Sequence, residues 1–142
     1  ELIPTQLDKS AAGRDLQLQY ARIFATVAQT PAHGQKVRDL LEGKLPGLVV
    51  DADLRWHLLI SLVERGLSSR DEVDAELKRD NTLTGQLSHE RCLAAFPELA
   101  AKEAAFKKAT ENFEITNWTR LSAIQGFARP LHRDFHEKFI DR

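Results

Sequence analysis

Methionine is absent from the 142 residues, and cysteine occurs once, at Cys92. A single cysteine excludes an internal disulfide and fits a reducing compartment, so a cytoplasmic protein is expected. Charge of one sign is missing too: 20 Lys and Arg stand against 21 Asp and Glu, a formal net charge of −1. Nucleic acid and anionic membrane both require a basic footprint that this balance does not supply. No apolar run approaches the ~18 residues needed to span a bilayer. No secretory signal precedes Gly13, and no segment has the period-two alternation of a half-buried strand. A chain that opens on Glu1 and lacks methionine is expected to be an excised segment.

What is present is ordinary globular material, 42% hydrophobic and 29% charged, in a chain long enough to bury about two-thirds of its unfolded surface. Residues 47–66 are the natural centre. Asp51 is placed to cap a helix and Asp53 to favour its N-terminal dipole. Leu54, Leu58, Leu59, Ile60, Leu62 and Val63 then make a run too apolar for a surface helix. Arg65 suits the helix C-terminus, and Gly66 supplies the residue that ends it.

Around this centre the periodicity predicts helices over 14–30, 32–44, 53–66, 69–80, 83–96, 97–111, 117–129 and 130–140, after a leader or linker at 1–13. Ser69 and Glu72 have the spacing of a capping box, Thr82 and Thr116 or Asn117 are caps, and Pro97 and Pro130 open helices. Leu16, Tyr20, Ile23, Phe24 and Val27 recur at helical spacing in the first helix, and the fifth runs through Leu83, Leu87, Leu93 and Ala94. The expected inner faces are Leu99, Phe106 and Ala109 in the sixth and Trp118, Leu121, Ile124 and Phe127 in the seventh, and the last carries Leu131, Phe135 and Phe139 at steps of four. The expected fold class is all-α. Helices in consecutive pairs, starting roughly 30–40 residues apart, predict a HEAT-like stack of antiparallel hairpins, an α-solenoid, ahead of a compact irregular bundle.

Candidate chemistry is sparse. His132 and His136 share a helix face and could chelate zinc, but the position after the first histidine is Arg133, where a zincin needs glutamate. The plainer reading is two solvent-facing histidines. Cys92 with His89 one turn earlier lacks a third, orienting group, so Cys92 is read as core. Asp51/Asp53 and Asp71/Glu72 sit at helix starts, where carboxylates serve as caps. Trp56 and Trp118 are read as core. The residues alone favour a helical-repeat interaction module.

Two blocks say more: residues 47–56, ending in Asp53-Leu54-Arg55-Trp56, and residues 75–85, ending in Asp80-Asn81-Thr82-Leu83-Thr84-Gly85. Together they closely resemble the helical C-terminal domain of bacterial, actinobacterial-type aminopeptidase N, of the gluzincin zinc-aminopeptidase family. Residues 13–18 with Arg22, Phe96-Pro97 with Lys102, and Asn117 with Gly126-Phe127 extend the resemblance over nearly the whole chain. It implies that 14–142 are the C-terminal half of a HEAT-like domain that walls and caps the active-site chamber of a peptidase removing N-terminal residues from peptides. The family's His-Glu-x-x-His and Gly-x-Met-Glu-Asn motifs are not in this sequence. No catalytic, cofactor or metal residue is therefore expected here, and zinc is expected in the parent's catalytic domain. The implied partners are that catalytic domain, on the same polypeptide, and the parent's peptide substrates, with no nucleic acid and no membrane. Asn117 and Arg120 are the candidates for facing the chamber, since an arginine at a helix start gains nothing from the dipole. The plainer alternative for Arg120 is an exposed side chain without contact. A free-standing helical-repeat scaffold is the alternative for the whole chain.

Overall fold

Side-chain caps set where the helices begin. Thr30 Oγ1 accepts from His33 N at 3.2 Å, Asp51 Oδ1 from Leu54 N at 2.9 Å and Ser69 Oγ from Glu72 N at 3.2 Å. Thr82 and Thr116 do the same for Gly85 N and Thr119 N at 3.1 and 3.2 Å. Each such bond satisfies a first-turn donor that has no partner inside its helix. The computed structural model describes residues 15–141; the expected leader at 1–13 lies outside them. The helices are α1 (Asp15–Val27), α2 (Pro31–Leu41), α3 (Ala52–Val63), α4 (Arg70–Arg79), α5 (Leu83–Ala94), α6 (Leu99–Thr110) and α7 (Asn117–Phe127). All regular structure among the described residues is helical, as expected.

The chain divides into two units, Glu1–Leu62 and Val63–Arg142. In the first, α3 carries the core: Leu54, Trp56, Leu58, Leu59, Ile60 and Leu62 are all buried. Its polar side chains reach backbone carbonyls of α1 and α2. Ser61 Oγ donates to Ala25 O at 2.7 Å, His57 Nε2 to Arg22 O at 3.0 Å and Arg55 Nη1 to Leu41 O at 3.4 Å. Arg22 pairs with Asp53. The buried face of α1 is Gln17, Ala21, Phe24 and Ala25, whereas Leu16, Ile23 and Val27 are exposed. Phe24 is inside as expected, and the rest of the expected stripe is corrected to the small-residue face. Alanine lets helix axes approach, and dispersion contacts depend on that proximity.

In the second unit α5 packs mainly on α7, and also on α4 and α6. Gly126 explains the α5–α7 approach: a Cβ there would lie 2.1 Å from Arg91 O and 2.7 Å from Ala94 Cβ. The buried face of α7 is accordingly Ser122, Ala123 and Gly126. Trp118, Leu121 and Ile124, expected inside, are exposed. In α5 the buried residues are Gly85, Cys92 and Ala94, with Leu83 exposed; the inner face of α6 is corrected to Ala101, Lys102 and Ala105, with Leu99 exposed. Helix α6 opens at Leu99 rather than Pro97, with an extended Glu98 at its N-cap; the buried Phe96 ring lies under the Arg70 guanidinium at 4.4 Å.

The last expected helix is broken into a 3-10 turn (Pro130–His132), one α turn (Arg133–His136) and a second 3-10 turn (Glu137–Phe139). Tertiary contacts override the regular repeat here. Phe139 packs on Phe106 and Phe127 at ring separations of 5.0 and 5.2 Å. His132 meets Phe135 edge-on at 6.0 Å, an i, i+3 contact of the kind that 3-10 geometry brings into line.

Candidate functional site

The histidine pair is not solvent-facing. His132 is buried, and its Nε2 donates to Glu64 O at 2.8 Å. His136 is half-buried, stacks on Phe127 at 5.0 Å and donates from Nε2 to Phe127 O at 2.7 Å. Both Nε2 atoms are thus spent on backbone carbonyls. Among the described residues no group of three or more His, Cys, Asp and Glu is placed to hold a metal ion. His89 is paired with Asp74 at 2.7 Å. Burial pushes the Cys92 thiol up to about 12, which leaves it a core sulfhydryl and no nucleophile. Asp51 and Asp53 serve as cap and ion-pair partner, and Glu72 accepts from Ser68. Trp56 is core as expected. Trp118, 67% exposed, is not.

The densest polar constellation is one the sequence did not announce. Lys102, 0% exposed, points its ammonium at the ends of two helices. Nζ donates to Ala94 O at 2.7 Å, Gly126 O at 3.3 Å and Phe127 O at 3.4 Å. These are the terminal carbonyls of α5 and α7, which have no acceptor role inside their own helices, and a cation there meets the negative end of each dipole. Burial, helped by the Arg129 charge, pulls the Lys102 pKa down to about 8. With three carbonyl acceptors and no exposed surface, Lys102 is a clamp and no base or nucleophile. Nearby in the same unit Glu64 is buried and accepts from Arg65 Nη1 at 2.8 Å and from Arg129 Nε. The available signal for Lys102 is its place between Ala101 and Ala105, on the small face of an alanine-rich helix.

The two candidate chamber residues lie at the α6–α7 turn. Asn117 is exposed at the first position of α7. Arg120 is half-buried and donates from Nη2 to Asn112 O at 3.0 Å, holding the turn, while its Nε is buried without a partner. That contact gives the physical reason for an arginine so early in the helix. Beside it, Lys107, Glu111, Asn112 and Phe113 line an open hollow of about 710 Å³. Phe113 and Trp118 are the exposed aromatic side chains of this region. The lining of the hollow is charged and polar apart from the exposed Phe113 ring.

The model of one family, described as the ERAP1-like C-terminal domain, matches residues 4–142. The chain belongs to this family. It is also 33% identical over 138 residues to aminopeptidase N of Streptomyces lividans. That match covers 96% of this chain and 16% of the relative, so the chain spans under one-fifth of the protein it resembles. The blocks that carry the resemblance now have structural roles in this ERAP1-like segment. Asp53 anchors Arg22, Arg55 reaches the last carbonyl of α2, and Thr82 caps α5. Gly85 leaves room for Asp80 O, which a Cβ would meet at 1.8 Å. Lys102, Gly126 and Phe127 meet in the clamp.

Proposed function

We propose that this chain is a non-catalytic part of the C-terminal domain of a zinc aminopeptidase, the C-terminal half of a HEAT-like stack that walls and caps the active-site chamber. The parent removes N-terminal residues from peptides with zinc held in its catalytic domain, which lies on the same polypeptide. The observation that carries this reading is the match to an aminopeptidase N over 96% of this chain but 16% of that protein. It is supported by side chains engaged in capping and clamping and by two exposed apolar stripes. One is Leu16, Ile23 and Val27 on α1; the other is Trp118, Leu121 and Ile124 on α7. Contiguous apolar faces of this kind mark surfaces that meet other polypeptide. Asn117 and Arg120 face the chamber in this proposal, and a cytoplasmic parent is proposed with it.

Hydrolysis of an aminoacyl anilide and zinc content, measured on the full-length parent and on the 142-residue chain, test the proposal. The expected result is activity and stoichiometric zinc in the parent alone. Cleavage by the isolated chain would overturn it. The exposed α7 stripe also favours the scaffold reading, which predicts no His-Glu-x-x-His upstream in the same open reading frame.

A further inference from the structure

The segment following α7 is fastened by a histidine that has no room for a second proton. His132 is 3% exposed. A carbonyl can only accept, so the 2.8 Å contact with Glu64 O places the proton on Nε2 and leaves Nδ1 bare. Nδ1 is buried and has no hydrogen-bond partner. The charged groups around it are already committed or of the wrong sign. The Glu64 carboxylate accepts from Arg65 through one oxygen and from Arg129 through the other. Lys102, on α6, adds a buried cation, and His136 adds a second imidazole from the segment itself.

We propose that His132 is an acid-released latch: protonation at Nδ1 creates a buried N–H without an acceptor, beside a Glu64 carboxylate already taken up by Arg65 and Arg129, and segment 130–141 lets go of Glu64. An unsatisfied buried donor and an uncompensated buried charge are both costly, and local opening removes both. Helices α4 to α6 need not open with it, since their caps and the Lys102 clamp do not use His132. Burial holds the pKa of His132 below its ordinary 6.5; the hydrogen bond to Glu64 and the Glu64 charge oppose this, and Lys102 and His136 reinforce it. The open state therefore takes up the proton first as pH falls. Closure is at full strength above 6.5 and weakens below it, by up to about tenfold per pH unit until the closed-state pKa is reached.

Amide hydrogen exchange of the 142-residue chain at pH 7.5 and 5.0, corrected for the intrinsic pH dependence of exchange, reads the latch. Protection over 130–141 is expected to fall at pH 5.0, with a smaller change in α4–α6. His132→Gln, which keeps an N–H donor and cannot titrate, is expected to remove the acid response, and His136→Gln to retain it. An unchanged response in His132→Gln, or its loss in His136→Gln, would overturn the proposal. If His132→Gln does not fold, the His132 ring titration in the unsubstituted chain decides. Titration below 6.5 together with loss of protection supports the latch. Titration at 6.5 with 130–141 still protected sinks it.

Discussion

Helices α3 and α7 are of similar length, 12 and 11 residues, and both carry large apolar side chains, but they use them in opposite ways. In α3 those side chains are the core. In α7 the packed face is Ser122, Ala123 and Gly126, while Trp118, Leu121 and Ile124 face outward. The difference lies in how close the neighbouring backbone comes. Where a neighbour's carbonyl sits where a Cβ would be, as Arg91 O does at Gly126, no large residue fits and small ones make the contact. Both helices also use side-chain donors to carbonyls, from Arg55, His57 and Ser61 in α3 and from Lys102 at the end of α7; what differs is that α3 packs by volume and α7 by proximity.

The sharpest way to break this contrast is to remove the donor. Lys102→Ala leaves the carbonyls of Ala94, Gly126 and Phe127 without their shared partner, and an orphaned buried polar group costs ~1–3 kcal/mol. Urea unfolding should show a loss of about 3–5 kcal/mol, the largest effect expected of any single change here. A loss under about 1 kcal/mol would mean the carbonyls find other donors. Leu59→Ala probes the volume-held side and should cost about 2–5 kcal/mol through lost transfer energy and the cavity left behind.

That prediction rests on the part of the fold most legible in the sequence. The all-α class, the caps at Asp51, Ser69 and Thr82 and the buried run of α3 could all be read from residue type and spacing, because capping chemistry and a helix apolar all round are local properties. The inner faces of α6 and α7 could not, and in α1 Phe24 is the buried member of the stripe that periodicity selects. Periodicity weights Leu, Ile and Trp over Ala and Gly, so it selects the larger stripe even when backbone approach selects the smaller one. The clamp was illegible for a related reason: Lys102 stands out only through the family resemblance, and nothing local to it shows that three helix-end carbonyls from distant positions converge on it. The α6–α7 turn was partly legible, since Arg120 stood out by its unfavourable place at a helix start, while its tie to Asn112 O depends on a loop that the pattern left undefined.

Alkali sharpens the comparison further. The folded-state pKa of Lys102 lies near 8, below its ordinary 10.5, so between those values the unfolded chain holds a proton that the folded chain has released. Raising pH strips the unfolded state and stabilises the native one; this contribution is complete above 10.5 and is lost as pH falls to 8. Its slope is up to roughly 1 kcal/mol per pH unit. The Lys102→Met variant should lack it when unfolding midpoints are followed from pH 8 to 10. A folded Lys102 whose pKa stays at the ordinary value would erase the difference between the two proteins.

The central claim, that α7 is held by close approach rather than by its largest apolar side chains, is tested most directly by pairing Gly126→Ala with Trp118→Ala in urea unfolding. Adding one methyl group at Gly126 should cost about 1–3 kcal/mol, because neither Arg91 O nor Ala94 Cβ has room to give. Removing the whole indole at Trp118 should cost less than about 0.5 kcal/mol. The reverse order, with Trp118→Ala the more damaging change, would contradict the account.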